Sequence, residues 1–433
     1  MGYSRKTWGD GFWSLAGTLA SVFAGLALVK IAAVWIPSDQ YGEASLVLGV
    51  VVLLNNLIIG PLMTAHMRIY FDYRTRGLGY EFSSLFAKIS LGAAIVCAVF
   101  YLMLAIGFWA VGAPYLLRMV WPALLLIMIQ PFISLTTNYL EAHRLYFKLA
   151  VVNTGQKLLQ VPAILGLLLL PISAASAVVL AQTVAILPLL FSSRGIQVRD
   201  TNKQGSEQRS LGLRGAYDIF REFSAFGVAL PLGYAVNWLL STSDRYLIGH
   251  YMTTQDVGVY AINYGFWSLP FLMLNAWLEI LTRPRIYERA SRKDWRGMRN
   301  ILALRMSIAL AMGSIGSVIL YLIGQKLSVF VLGSNYQTDW GVPISIAVGH
   351  FFLILGYAAS PAFLATKRVR VVLFATIVAA VLNVSLNLYL IPKHGLMGAA
   401  MSTMFAYILW AMIIIASAVR YTTRLCQMSF IVK

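Results

Sequence analysis

A lysine in the middle of a long apolar run is the first residue of this chain that calls for a chemical reading. Lys157 lies 12 residues from Leu145 and 13 from Leu170, too deep in a membrane-crossing helix for its stem to bring the ammonium to water at either end. Gln156, Gln160 and Asn153 stand close by and make a polar stripe on the same helix. An ammonium is a point charge suited to phosphate oxygens, so a cavity lined by this stripe suits an anionic cargo. The competing reading is an internal ion pair that ties two helices together.

Other polar residues fall in apolar surroundings. Lys30 is six residues from the end of its run at Ile36, so it either lines a cavity or reaches outward to the interface. Asp244 and Arg245 are sequence neighbours and point in different directions on a helix, which gives them different partners. Arg245 is a candidate cavity cation, and Asp244 is either a coupling site or half of a structural salt bridge. Asn55, Asn56, Asn237, Asn275, Asn383 and Asn387 can hydrogen-bond sugar hydroxyls or bind helix to helix. Lys88 and Arg305 either gather anionic headgroups or reach the interface, while Glu279 is spaced to pair with Arg283 at i+4. No set of His, Cys or carboxylates has metal-ligand spacing, no catalytic residue or cofactor motif stands out, and Cys97 and Cys426 read as small hydrophobes.

The elements that must position these groups follow from composition. The chain is 59% hydrophobic and 12% charged, against roughly 25% charged in soluble globular proteins, which excludes a soluble class. Runs of about 20 apolar residues mark spanning helices, and 12 are found. The first six cover residues 11–36, 44–70, 83–110, 115–139, 145–170 and 174–192. The second six cover 223–251, 257–281, 301–324, 340–364, 369–391 and 396–419. Between them lies a polar stretch with no hydrophobic period. The expected organisation is a six-helix bundle over 1–192, a linker over 193–222 and a second six-helix bundle over 223–433.

A net charge of +18 would point to nucleic acid in a soluble chain, but membrane topology accounts for it and no nucleic-acid partner is expected. With the N-terminus inside, 26 of the 34 basic residues fall in cytoplasmic segments, and only Arg118, Lys326 and Lys393 on the other face. The basic segment RPRIYERASRKDWRGMRN, after the eighth run, belongs to this pattern and can attract anionic lipid. The apolar run near the N-terminus has no small-residue cleavage site and reads as a retained helix.

The halves repeat each other. SDQYGEASLVLGVVVLL precedes the second run and TTQDVGVYAINYGFWSL the eighth, with Gly42 and Gly258 separated by 216 residues, while Pro171 and Pro392 are separated by 221. With six spans in each half, both copies start on the same side. The repeat is therefore parallel, its axis runs along the membrane normal, and the transport path is expected between the halves.

Two strings carry a family resemblance. Asn383-x-x-x-Asn387-Leu-Tyr-Leu-Ile-Pro392-Lys-His-Gly395-x-x-Gly398-Ala-Ala is one, and Asp244-Arg245-Tyr-Leu-Ile-x-x-Tyr251 followed by Asp256-Val-Gly258-x-Tyr260 is the other. With the span count, the linker and the Tyr41-Gly42 turn, they resemble the polysaccharide (Wzx-type) flippases of the multidrug/oligosaccharidyl-lipid/polysaccharide exporter superfamily. The resemblance implies an all-α polytopic membrane protein of about 12 helices, in two pseudo-repeated bundles around a central cavity that opens alternately to each side. It implies an undecaprenyl-diphosphate-linked oligosaccharide as cargo, moved outward across a bacterial inner membrane for O-antigen, capsule or exopolysaccharide assembly. A polysaccharide polymerase and a chain-length regulator of the same pathway are the partners it suggests, besides membrane lipids. The motifs themselves read as scaffold: Ile-Pro-x-x-Gly makes a tight turn and Gly-Ala-Ala permits close helix packing.

Under this resemblance Lys157, Lys30, Arg245, Gln156, Gln160 and Asn55 are the substrate-binding candidates, and Asp244 is the coupling candidate. A multidrug exporter of the same superfamily would share the fold. Such pumps favour cationic cargo and need buried carboxylates, whereas the first-half spans hold three lysines and no acid near mid-membrane. A membrane polymerase or glycosyltransferase would need catalytic residues in an extended outer loop. The longest one here, residues 325–339, offers one acid and one base. The charge asymmetry predicts that both termini and the linker face the cytoplasm. Reporter fusions at Gln204 and Asn335 should then report opposite sides, and the same side at both would remove this topology.

Overall fold

Ala, Leu, Ile and Val fill the apolar runs, and in a hydrocarbon medium such a run must satisfy its backbone internally, which only a helix does within one segment. The computed structural model accordingly has helices throughout. It describes residues 2–76, 78–143, 145–201, 217, 220–221 and 229–431. Helix α1 covers Gly2–Trp35, α2 Ser38–Leu54, α3 Gly60–Thr75, α4 Gly79–Ala110, α5 Val120–Ala142, α6 Tyr146–Leu168 and α7 Ala174–Thr201. The second half holds α8 (Ala229–Tyr251), α9 (Thr254–Ser291), α10 (Trp295–Leu332), α11 (Gly341–Ala359) and α12 (Val369–Ile431).

Among the described residues the expected spans coincide with helical segments, the second of them running through α2, a π-helical turn and α3. Seven helices of the described residues are long and apolar enough to cross a membrane, and one of them, α12, contains two spans. Its two limbs meet at Gly395, which has φ 55° and ψ −133°. That backbone conformation belongs to glycine, and it turns the Ile391-Pro392 end of one limb into the start of the next. Ala399 and Ala400 are fully buried beyond the turn, and a Cβ on Gly398 would lie 2.3 Å from the Leu390 carbonyl oxygen. The motif expected to turn tightly and pack closely does both.

Several boundaries differ from those expected. The basic segment after the eighth run is mostly helical: α9 continues to Ser291, and α10 begins at Trp295 behind Asp294, whose carboxylate accepts from the Gly297 amide at 2.9 Å. Arg289 reaches the same carboxylate at 2.5 Å. The Gly297 amide first, and then the Arg289 guanidinium, hold Asp294 below the usual carboxylate range. At the far end α10 continues to Leu332, so the longest expected loop shrinks to residues 333–340 around buried Tyr336. The sixth span likewise continues as helix to Thr201, through the start of the expected linker; the remainder of 193–222, apart from 217 and 220–221, lies outside the described residues.

By packing, the chain forms two units, one of Met1–Gly42 with Val236–Lys433 and the other of Glu43–Ala235. This grouping departs from the expected bundle over 1–192, because α1 packs on α9 and α10. The Lys30 ammonium donates to the Phe330 carbonyl, and Tyr336 donates to the Ile36 carbonyl at 2.8 Å. In the same unit the start of α2 meets the start of α9. A Cβ on Gly42 would sit 1.9 Å from the Thr254 carbonyl oxygen, and one on Gly258 1.8 Å from that of Ser38. These pairs obey the 216-residue offset of the sequence repeat, so the two copies touch reciprocally at equivalent backbone positions.

Helix α9 starts on a capping box in which Thr253 and Asp256 bond each other's amides, at 3.2 and 3.1 Å. In Glu43–Ala235, α4 packs on α5, and Tyr101 on α4 donates to the Leu116 carbonyl at 3.0 Å. The conformation of Gly395 sets the first test of the fold. Gly395→Ala should lose about 1–3 kcal/mol of stability, read as a lower melting temperature of the purified protein, and an unchanged melting temperature would show that the turn does not need glycine.

Candidate functional site

In the unit that contains α9 to α12, one buried charge is Asp244, 1% exposed on α8. Its carboxylate accepts from the Tyr260 hydroxyl of α9 at 2.8 Å, from the Arg245 backbone amide at 2.8 Å and from the Thr403 hydroxyl of the second limb of α12 at 3.5 Å. The Asn383 amide donates to Thr403 at 3.2 Å, and that of Asn387, one turn on, donates to Asn383 at 3.0 Å. The carboxamide oxygen of Asn387 is buried with no partner among the described residues. The groups that reach the carboxylate are two hydroxyls and one backbone amide, all hydrogen donors. Among the described residues no three His, Cys, Asp or Glu stand together as a metal site would require.

Arg245 turns away from this network. Its guanidinium lies 5.6 Å from the Tyr264 ring centre and lines a cavity of about 360 Å³ with Tyr264, Tyr357, Tyr407, His350 and Trp410. Tyr264 and Tyr407 share a hydrogen bond of 2.6 Å, and both rings meet His350 edge-on. Trp410 donates to Thr376 at 3.1 Å. Asp244 thus meets the hydroxyls of Tyr260 and Thr403 while the Arg245 guanidinium lies near Tyr264, and the Arg245 backbone amide bonds Asp244.

The second buried charge of this unit is Arg305 on α10, with 0% exposure. It donates to Glu279 at 2.5 Å, to Thr282 at 2.9 Å, to the Tyr357 carbonyl at 3.1 Å and to Asn275 at 3.4 Å. Arg305 therefore does not extend to the interface, and Glu279 pairs with it across helices rather than with Arg283. A bidentate-capable guanidinium with four partners is a helix-to-helix tie.

The unit Glu43–Ala235 carries the remaining candidates. On α6, Lys157 is exposed on the surface of its unit, Gln156 is half-buried and Gln160 is buried. Pro162 in the same helix supplies no amide hydrogen, so the Leu158 carbonyl lacks its usual intrahelical donor and adds polarity to this stretch. Asn55 opens a π-helical turn over Asn55–Ile59, in which the Gly60 amide reaches back to the Asn55 carbonyl. Its side-chain oxygen is buried with no partner among the described residues. Such turns insert one residue into a helix and recur at functional sites. Lys30 stands apart from these residues. It caps the last turn of α10 through the Phe330 carbonyl, where a cation also complements the helix dipole.

Tyr260, Asn383 and Asn387, which belong to the motifs that read as scaffold, stand around Asp244 together with Thr403, which the sequence does not single out. The signals are the i, i+4 spacing of Asn383 and Asn387 and the Tyr that follows Asp256-Val-Gly258, but nothing local joins the two asparagines to Asp244 on a distant segment.

The all-α, multi-helix architecture is shared with solved membrane-protein structures. An inward-facing MATE-family multidrug resistance transporter matches with a TM-score of 0.68 and 12% identity, over 96% of this chain and 99% of the other. The lipid II flippase MurJ, in an inward closed conformation, matches with a TM-score of 0.69 and 13% identity, over 98% and 90%. A Vibrio cholerae MATE transporter matches with a TM-score of 0.61 and 13% identity, over 97% and 98%. These proteins are transporters and a flippase, not enzymes. No protein-family model and no curated protein sequence matches the chain.

The Arg305 tie carries a direct test. Glu279→Ala leaves a guanidinium buried without its counter-charge and should cost about 3 kcal/mol or more. Thermal unfolding of the purified variant measures this, and unfolding like that of the parent would mean that the neutral partners suffice.

Proposed function

We propose that the chain is a flippase that carries polyprenyl-diphosphate-linked oligosaccharide repeat units from the cytoplasmic to the outer leaflet of a bacterial inner membrane by alternating access. The cargo is the undecaprenyl-diphosphate form, destined for O-antigen, capsule or exopolysaccharide. The observation that carries this reading is the sign of the charge on α6. Lys157 is a mid-membrane cation, and no acid lies at comparable depth in the first-half spans. An unpaired, desolvated ammonium is costly, and the diphosphate of a transient cargo supplies the missing charge. The fold, shared with a lipid II flippase as well as with multidrug transporters, supports translocation of a lipid-linked substrate.

In this proposal Lys157 holds the diphosphate, with Gln156, Gln160 and Asn55 on the same unit as hydrogen-bonding groups for the cargo. Arg245 is a second cationic contact. Asp244 is the coupling group, since a buried carboxylate that gains and loses a proton or small cation changes the hydrogen bonding of α8, α9 and α12 together. A multidrug exporter would require acids where α6 offers a lysine. Lys30, engaged with a helix end, is assigned to packing.

In proteoliposomes, Lys157→Ala should insert and fold but lose flipping of a lipid-linked oligosaccharide by about tenfold or more, the scale of one charge-assisted contact. Lys157→Arg should keep part of the rate. Adding Asp244→Ala to Lys157→Ala discriminates the readings: restored flipping in the double variant would make Lys157 half of a structural pair and sink the assignment to the diphosphate.

A further inference from the structure

Three helices of the unit that contains α9 to α12 outrun their expected spans at one end, the end that the charge asymmetry assigns to the cytoplasm. Helix α9 runs ten residues past Leu281 to Ser291, α10 starts six residues before Ile301, and the second limb of α12 runs twelve residues past Val419 to Ile431. At 1.5 Å per residue these are about 15, 9 and 18 Å, against about 5–8 Å for the headgroup layer on one side of a bilayer. The projecting part has a core of its own. Ile286, Ala290 and Met298 are buried together with Phe363, and Trp295, Tyr421 and Leu425 pack against them.

The surface of this projection is basic. Arg285, Lys293, Arg299, Lys367, Arg370 and Arg424 are exposed and have no ion pair among the described residues. The two acids beside the turn from α9 to α10, Glu288 and Asp294, are already engaged by Arg292 at 2.7 Å and by Arg289 at 2.5 Å. Positive charge near helix ends follows from topology, but topology asks for no particular backbone conformation. Lys293 and Lys367 are the non-glycine residues with positive φ among the described residues, at 57° and 59°, and they sit in the two turns at this end of the unit. Glycine or asparagine adopts that left-handed region with less strain. A lysine held there twice marks positions where the charge itself is used.

The occupant follows from what the surface lacks. A segment that lies on a bilayer turns apolar side chains outward to the acyl chains. Here Tyr287 and Trp295 are half-buried, and the Arg283 guanidinium covers Tyr287 at 5.8 Å as that of Arg368 covers Tyr421 at 4.5 Å. No large apolar side chain is exposed among the described residues of 282–300. A hydrated face of guanidinium forks and ammonium groups, standing beyond the headgroups, matches carboxylates presented from water. We infer that this platform is a docking surface for an acidic segment of a cytoplasmic protein, one rich in Asp and Glu. The expected topology places the platform on the cytoplasmic side, and its use does not depend on which cargo is carried.

A labelled decaglutamate peptide, added to the full-length protein in phosphatidylcholine nanodiscs and followed by fluorescence anisotropy, tests it. The parent protein should bind the peptide, more weakly as salt rises. Lys293→Asn combined with Lys367→Asn removes two cations and relieves two left-handed lysines. This double variant should bind about tenfold more weakly, with a melting temperature no lower than that of the parent. Lys326→Gln, on the face expected to be opposite, should change neither. A parent protein that does not bind overturns the inference, as does binding that the double variant keeps in full. A lower melting temperature in the double variant would mean that the lysines serve the turns themselves, and overturns it too. Native mass spectrometry separates the acidic segment from the bilayer: parent and double variant should retain equal phosphatidylglycerol, and loss of that lipid from the variant would give the lysines to the membrane surface instead.

Discussion

Hydrocarbon supplies no hydrogen bonds, so every polar atom a spanning segment brings with it must be satisfied by another part of the chain or by cargo. Asp244 shows what this demands. Its two carboxylate oxygens draw on a phenol from α9, a hydroxyl from α12 and the amide of its own neighbour, and the hydroxyl is in turn held by Asn383 and through it Asn387. Four segments, far apart in sequence, are thereby fixed around one charge. Arg305 does the same for α9, α10 and α11 with four acceptors. The two charges are stable for the same reason but differ in use. Arg305 has Glu279 as an ionic partner across helices, whereas the side-chain hydrogen bonds to Asp244 come from the neutral hydroxyls of Tyr260 and Thr403.

The same accounting separates the lysines. Lys30 is near a helix end and finds a carbonyl of α10; Lys157 is in the middle of α6 and exposed on its unit. A permanent partner such as that carbonyl ends the need for a cargo, which is why Lys157 and not Lys30 is the proposed ligand of the diphosphate. The Arg245 side chain lines a cavity, while its backbone amide donates to Asp244.

Much of this was legible in the residues. Span count and placement follow from apolar runs, because length and hydropathy are properties of a segment alone. The tight turn at Gly395 was marked by Ile-Pro-x-x-Gly, and the repeat by Gly42 and Gly258. What escaped were relations between segments. Glu279 has a perfectly spaced neighbour in Arg283 but is claimed by Arg305, since a fully buried guanidinium outbids one at the helix surface. The π-helical turn at Asn55 has no sequence signature, since hydropathy does not distinguish it from an α-helical turn. The grouping of α1 with α9 and α10 depends on contacts at Ile36 and Phe330 that ordinary apolar residues make through their backbone carbonyls.

The meeting of Gly42 with Thr254 and of Gly258 with Ser38 has the form of an isologous dimer interface inside one polypeptide: position i of one copy faces position j of the other, and the reverse. In a true homodimer every substitution at such a joint appears twice, so a change that fits on one side must also fit on the other. Joining the copies in one chain removes that restriction. Ser38 and Thr254 already differ by a methyl group, because there the contact is made by the carbonyl oxygen, which every residue has. At Gly42 and Gly258 the missing atom is itself the contact, and a Cβ on either side would enter the opposing backbone. The two halves are thus free to become chemically unlike, one presenting a lysine and the other an aspartate and an arginine, while remaining mechanically alike at the joint where they touch.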